Sequence, residues 1–165
     1  MSIARIAKHL VAEGAARRRF PDSTLDAIQK SIATGETRHK GQVCFAIESA
    51  LPLGELLRGR STRERAHEVF AHLRVWDTEH NSGVLIYVLI ADHAIEIVAD
   101  RGIAARVAEA EWQAVCARLR DRFAAGDFEA GAIAAVDAVS AILALHFPAD
   151  GSPVPNELPD RPVRL

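Results

Sequence analysis

Apolar residues in the middle of the chain follow the pattern of two adjacent β-strands. Residues 84–90 are almost all aliphatic, β-branched or aromatic, as in a strand that is buried on both faces. Residues 94–99 alternate around Glu96, and the short segment 91–93 between the two runs predicts a hairpin turn. The pattern therefore predicts a hairpin whose second strand ends at the edge where the first strand began.

Helical periodicity appears before, between and after the predicted strands. Ser61 and Glu64 form a capping-box sequence at the start of one helix, which continues with apolar residues at three- and four-residue steps. Residues 42–49 predict a first strand, whereas the proline and glycines of residues 51–59 favour a loop. The predicted helices cover residues 3–10, 25–32, 61–73, 104–123 and 129–146.

The order of these elements predicts the fold class. The first strand, a helix and the second strand form a βαβ unit, so these two strands are expected to be parallel with a right-handed crossover. The third strand is expected to be antiparallel to the second. Helices on both faces of this small mixed β-sheet predict an α/β fold, a three-layer α/β/α sandwich. A fourth, edge strand has two candidate locations, residues 51–58 and the C-terminal tail.

The tail differs in composition from the rest of the chain. Residues 1–148 are expected to form a single domain, whereas residues 149–165 carry four of the seven prolines and are expected to be extended. Leu158, Val163 and Leu165 are spaced among these prolines. We expect this segment to dock along an apolar groove or a sheet edge, either of its own domain or of a second subunit.

Composition excludes several classes of protein. The chain has 49% hydrophobic and 25% charged residues with a net charge of −2, which gives no reason to expect nucleic acid as a partner. Cys44 and Cys116 fit no metal-binding or redox spacing, so reduced thiols are expected. The N-terminus has no secretory pattern, and the longest apolar segment, residues 130–147, contains Asp137. We therefore expect a cytoplasmic protein that does not span a membrane.

The predicted topology brings several polar residues to one edge of the sheet. They come just before the first strand, just before the second strand, and just after the third: Glu36, His39, Asp77, Glu79, His80, Asn81, Asp100 and Arg101. Carboxylate and amide oxygens are the ligands that calcium and magnesium prefer. We therefore take Asp77, Glu79, Asn81 and Asp100 as candidate metal ligands, and Glu36, His39 and Arg101 as candidate binding residues.

Other interpretations of the same residues stay open. Carboxylates forced together can share a proton and act as acid and base. Asp77 and Asn81 can instead shape a turn, Asp100 can cap the helix that follows it, and Arg101 can pair with a neighbouring carboxylate. A hydrolase elbow, a phosphate-binding glycine loop and a dinucleotide fingerprint are all absent from the sequence. No nucleotide or organic cofactor is expected, and no catalytic residue is assigned.

Three segments of the chain resemble the TPM domain family, namely residues 75–77, 81–90 and 95–103. With the helices around them, the resemblance covers roughly residues 20–148, and the tail is similar to that of short soluble members. The family includes a thylakoid-lumen protein linked to photosystem II repair and many bacterial envelope proteins. The resemblance implies a small sheet between helices, phosphatase activity and, in some members, divalent-cation binding at acidic residues. This chain has Asp100 and Arg101 where common members carry a Gly-Tyr-Gly segment.

Two functions follow from this combination of residues and resemblance. The first is a non-enzymatic binding or assembly-support module of the TPM-domain type, which holds a protein partner or a phosphorylated ligand and binds a divalent cation at the acidic sheet edge. The alternative is a divalent-cation-dependent, phosphatase-like hydrolase, in which a metal-activated water attacks phosphorus. A homo-oligomer is compatible with both.

Overall fold

This computed structural model describes residues 3–12 and 14–165, which contain both helices and strands. The elements are α1 (Ile3–Val11), α2 (Ala15–Arg19), α3 (Asp22–Glu36), β1 (Gln42–Glu48), α4 (Leu53–Leu57), α5 (Thr62–His72), β2 (Gly83–Leu89), β3 (Ala94–Ala99), α6 (Arg101–Ala104), α7 (Glu109–Ala124), α8 (Phe128–His146) and β4 (Val163–Arg164).

The strands form one mixed sheet in the order β3-β2-β1-β4. β1 is parallel to β2, with Gln42 opposite Gly83, and β3 is antiparallel to β2, with Ala99 opposite Val84. α5 lies in the crossover between β1 and β2. The predicted α/β fold class and the orientation of the three longer strands are therefore confirmed.

Each face of the sheet is covered by its own apolar cluster. Val43, Phe45 and Ile47 of β1 belong to the cluster that also contains residues of α3, α7 and α8. Cys44 and Ala46 belong to a second cluster with residues of α4 and α5. Because both faces are covered, every residue of β1 and β2 is buried.

Two local predictions differ from the structure. The segment predicted as a loop contains α4, which begins after Pro52 and buries Leu56 in the second cluster. The fixed φ of proline suits the start of a helix, and one buried leucine gives this short helix an apolar anchor. The helix predicted over residues 104–123 is divided, since α6 ends at Ala104 and α7 begins at Glu109.

The C-terminal tail docks on its own domain. β4 lies parallel to the outer side of β1, opposite Ala46 and Ile47. The Gln42 side-chain oxygen accepts hydrogen bonds from the backbone N–H groups of Glu157 and Leu158 at 2.8 and 3.2 Å. Of the two locations considered for a fourth strand, the tail therefore supplies it, and the predicted docking is confirmed.

By length and composition α8 alone, among the described helices, could cross a membrane. In the structure its apolar residues Ala132, Val136, Val139 and Leu143 are buried in the first cluster, and it packs against α3 and α7. This burial is typical of the core helix of a folded domain.

A charged network is buried beneath the second face of the sheet. Both carboxylate oxygens of Glu48 accept hydrogen bonds from the Arg65 guanidinium at 2.8 and 2.9 Å, and the Tyr87 hydroxyl donates to Glu48 at 2.5 Å. Burial, together with the adjacent carboxylate, raises the pKa of the Tyr87 hydroxyl. The network joins β1, β2 and α5 through the buried Glu48 and Tyr87 and the partly buried Arg65.

We expect Arg65→Met to lower the free energy of unfolding by about 3 kcal/mol, because it leaves the Glu48 charge buried without its cation. Arg58→Met is the matched control, since its pair with Glu55 has an arginine side chain that is 76% exposed. The control is expected to change stability by less than about 1 kcal/mol. Urea denaturation of both variants measures the difference, and equal effects would contradict the assigned role of the network.

Leu158→Ala tests the docking of the tail. This leucine is 6% exposed, so its truncation is expected to lower the free energy of unfolding by about 2 kcal/mol. Leu145→Ala, at a position 75% exposed, should leave the free energy of unfolding nearly unchanged. Thermal melting of both variants is the measurement, and an unchanged melting temperature in Leu158→Ala would show that the tail is not docked in solution.

Candidate functional site

One edge of the sheet collects the start of β1, the start of β2 and the end of β3. The backbone N–H of Asp100 donates to the Gly83 carbonyl at 2.8 Å, and that of Gly102 donates to the Asn81 carbonyl at 3.1 Å. A Cβ at position 102 would lie 2.6 Å from the Asn81 carbonyl oxygen, so the close approach of the two segments requires glycine. The predicted placement of Asn81 and Asp100 at the same end of the sheet agrees with the structure.

Asn81, Asp100 and Arg101 form a small hydrogen-bonded group at this edge. The Arg101 side chain donates to the Asn81 side-chain oxygen at 3.0 Å. One oxygen of Asp100 accepts from the Arg101 backbone N–H at 2.7 Å, as expected of an N-cap. The other oxygen of Asp100 is buried and has no partner among the described residues. The Arg101 and Asn81 side chains therefore bind each other, whereas Asp100 binds the backbone.

The other two candidate metal ligands have different surroundings. Asp77 pairs with Arg74 at 2.5 Å, and both side chains are exposed. Glu79 is exposed, and its backbone N–H donates to the Glu157 carboxylate of the tail. The ion pair with Arg74 satisfies the charge of Asp77 locally.

The residues at this edge, as arranged, do not fit a divalent cation. Within residues 3–12 and 14–165 there is no group of three or more His, Cys, Asp or Glu side chains that could hold a metal ion. The Asp77 carboxylate is engaged by Arg74, and the Asn81 side-chain oxygen by Arg101. The predicted metal site stays a prediction, and no chemical step is routed through it.

Glu36 lies at the end of α3, beside the start of β1. Its carboxylate accepts a hydrogen bond from the Val43 backbone N–H at 2.8 Å. Burial raises the pKa of this carboxyl to about 7, with a smaller contribution from the Asp160 carboxylate. Glu36 and Asp160 line a cavity of about 340 Å³ between α3 and the tail. Glu36 therefore titrates near neutral pH.

His39 is a core residue rather than a surface ligand. It is fully buried, and its Nδ1–H donates to the Gly41 carbonyl at 3.1 Å. Burial lowers the pKa of its imidazole to about 4, so the ring is neutral at physiological pH. It lies near Gly35, where a Cβ would come within 2.2 Å of Ser140 Oγ. His39 thus belongs to the tight packing between α3 and α8.

A basic pocket of about 430 Å³ opens at the same edge of the sheet. Its volume is within the range of small-molecule sites. The basic pocket is lined by Lys40, His80, Ser82, Gly102, Arg106, His146, Phe147 and Pro148. None of these lining residues is an aspartate or a glutamate. A site with basic and hydroxyl groups and without carboxylates favours an anion.

Some hydrogen-bond donors of the basic pocket already have a partner within the protein, and others do not have one among the described residues. Lys40 pairs with Asp150 at 2.5 Å, and His146 Nε2 is 3.7 Å from a Glu111 oxygen. The Arg106 guanidinium stacks on the Phe147 ring at 4.9 Å and has no carboxylate within ion-pair distance in the described part of the chain. Buried Ser82 Oγ lacks a hydrogen-bond partner among the same residues.

Sequence reasoning missed most of the basic pocket. Lys40 lies two residues before β1 and Ser82 directly precedes β2, so the rule that placed Glu36 and Asn81 at this edge could have found them. Arg106 follows α6, outside the strand ends that the rule covers. His146 carries no such signal, because the end of α8 reaches the edge only through tertiary contacts. One of these contacts is the hydrogen bond from the Lys40 N–H to the Phe147 carbonyl at 2.9 Å.

Comparisons with known proteins agree with the fold and the resemblance. A family model described as the TPM domain matches residues 17–142 of this chain. The NMR structure of the BA42 protein from the psychrophilic bacterium Bizionia argentinensis is similar, with a TM-score of 0.76 and 25% sequence identity over 87% of this chain and 93% of that chain. No curated protein matches.

The stability of the Glu36→Gln variant relative to that of the wild type should rise with pH. The folded-state pKa of about 7 lies above the ordinary value of 4.5, so ionisation of Glu36 destabilises the folded protein progressively between these two pH values. Glutamine keeps the acceptor for Val43 and removes the charge. At pH 8 we expect a gain of about 2 kcal/mol after allowance for solvent screening.

Urea denaturation at pH 4 and pH 8 measures this gain as a difference between the variant and the wild type. Glu79→Gln, at an exposed position, is the control and should show no pH-dependent difference. A Glu36→Gln difference that is the same at both pH values would contradict the raised pKa.

Proposed function

Because the chain belongs to the TPM domain family, we propose that it is a non-enzymatic binding module that holds a phosphate-bearing ligand in the basic pocket at the sheet edge. The observation that carries this proposal is the set of donors in the basic pocket, which includes Arg106 and Ser82 and no carboxylate. The proposal keeps the phosphorylated ligand expected from the sequence and places it on residues other than the predicted metal ligands.

Arg106 is the main recognition group of this proposal. Its planar guanidinium can donate two parallel hydrogen bonds to a phosphate, and its stacking on Phe147 holds the plane in position. No described carboxylate competes for it within ion-pair distance. Ser82 is assigned as a further donor, since the residue lines the same pocket and its buried hydroxyl has no partner among the described residues. A phosphate would satisfy both groups.

Binding without hydrolysis is supported by the surroundings of Ser82. A serine nucleophile needs a general base within hydrogen-bond distance. Ser82 Oγ has no such partner among the described residues. One oxygen of the Asp100 carboxylate caps α6, and the Asp77 carboxylate pairs with Arg74.

Titration with phenyl phosphate, followed by NMR amide shifts, tests the proposal. We expect saturable shifts at Ser82, Gly102 and Arg106. Arg106→Gln should weaken the affinity about tenfold, because it removes the charge and the bidentate donor. Arg101→Gln is the matched control, since this arginine lies at the same edge, is bound to Asn81 and does not line the pocket. Equal affinities of the two variants would contradict the proposal.

A phosphatase assay separates this function from the alternative. Hydrolysis of p-nitrophenyl phosphate is measured with magnesium, calcium and manganese on the wild type, Ser82→Ala and Asp100→Ala. The binding role predicts no turnover above the protein-free rate. Metal-dependent turnover that either substitution abolishes would replace the binding role with the hydrolase.

A further inference from the structure

A second groove lies at the opposite end of the sheet, where β2 ends. It consists of two adjoining cavities that share Arg19, Ile90 and His93. The wider cavity, about 580 Å³, runs beside α1, and the narrower one, about 110 Å³, reaches beneath Phe123 and Phe128. We call the two together the distal groove. It is separated from the basic pocket by the full length of β2.

Apolar residues contribute to the lining of both cavities of the distal groove. In the wider cavity the lining includes Val11 and Ile90, together with several alanines of α1 and α2. In the narrower cavity it includes Val88, Phe123 and Phe128. An apolar trough that is wide at one end and narrow at the other accommodates a single flexible hydrocarbon chain better than a rigid ring or a helix.

The rim of the distal groove is cationic. Lys8, Arg18, Arg19, His93 and Arg120 line the two cavities, and no aspartate or glutamate does. Arg19 stacks on the Phe128 ring at 5.0 Å, at the entrance to the narrow cavity. Within residues 3–12 and 14–165, neither Lys8 nor Arg120 has a carboxylate within 4.0 Å. Lys8 and Arg120 therefore carry positive charge that no carboxylate of the described residues compensates within that distance.

α1 is attached to the domain in a way that leaves its apolar residues free. Arg5 donates to Asp92 at 2.7 Å, and His9 bridges the Asp92 carboxylate and the Leu51 backbone N–H at 3.0 and 2.9 Å. Polar groups thus make the attachment. Val11, which lines the groove, is 81% exposed. An uncovered apolar surface of this kind is a mark of a binding site.

We propose that the distal groove binds a fatty acid, with its acyl chain along the apolar floor and its carboxylate at Arg19 and Arg120. Burial of the methylene groups supplies the affinity, and the cationic rim selects a negatively charged head group. The ligand must therefore combine an apolar chain with a negatively charged head group. This requirement excludes small hydrophilic anions such as free phosphate. This site is independent of the function proposed for the basic pocket.

The test compares three probes with the same chain and different heads: dodecanoate, dodecanol and dodecyltrimethylammonium. Each is titrated, below its micellar concentration, into the full-length protein with NMR amide shifts as the readout. We expect dodecanoate to saturate one site with shifts at Ile90, His93 and Phe128, and to bind about tenfold more tightly than dodecanol. The cationic probe should bind weakest. Equal affinities for the anionic and cationic probes would overturn the proposal.

Two variants locate the site. In the double variant Arg19→Gln with Arg120→Gln, the affinity for dodecanoate should fall to the level of the affinity for dodecanol. The affinity for dodecanol should stay at the wild-type value. Ala7→Trp should fill the wide cavity and abolish binding of both probes. Ala71→Trp, at an exposed position of α5 on the other face of the sheet, is the matched control and should bind as the wild type does. Wild-type affinity in Ala7→Trp would overturn the proposal.

Other occupants of the groove are separate outcomes of the same experiment. Light scattering without ligand shows whether a second copy of the chain covers the groove, and a stable dimer that Ala7→Trp dissociates would overturn the proposal. Binding to anionic vesicles with no response to free dodecanoate up to the order of 1 mM would assign the surface to a bilayer and also overturn it.

Discussion

Parallel pairing of β1 with β2 at the centre of the sheet is the constraint on which the rest of the structure depends. Both strands are buried at every position, so the chain must supply a layer of helices on each face. A parallel pair also requires a crossover, which places α5 on one face. The same pairing brings the segments before both strands to one edge of the sheet, where the basic pocket lies. The C-terminal ends of both strands lie at the opposite edge.

Charged residues have different partners inside the domain, next to the buried sheet, and at its surface. Inside, Glu48 is compensated by Arg65 and Tyr87, because an isolated carboxylate at this depth would be strongly unfavourable. At the surface, ion pairs such as that between Arg5 and Asp92 attach peripheral elements. The arginines that stack on aromatic rings and have no carboxylate partner among the described residues, such as Arg106, lie instead beside cavities. This difference in partners distinguishes cations that hold the fold together from cations available to a ligand.

The candidate site shows how far edge placement can be inferred from topology. Asn81, Asp100 and Arg101 were expected at one edge and do lie there, because strand direction alone determines the placement. What their side chains bind was not predictable in the same way. The hydrogen bond from the Arg101 side chain to Asn81 depends on the turn of the backbone at Asp100. Asp77 forms an ion pair with Arg74. His39 lies just before β1 as expected, but its side chain is fully buried, and burial lowers the pKa of its imidazole to about 4.

The sequence by itself determined the layer architecture, the hairpin and the direction of the central strands, because periodicity and connection rules act over short stretches of chain. It also carried the family resemblance and predicted the docking of the tail. Only the tertiary structure decided which residues line the cavities. Lys40 and His146 are far apart in sequence, and they meet because the end of α8 pairs with the segment before β1. Long-range packing of this kind leaves no local pattern, so sites built by it become visible only when the whole chain is folded.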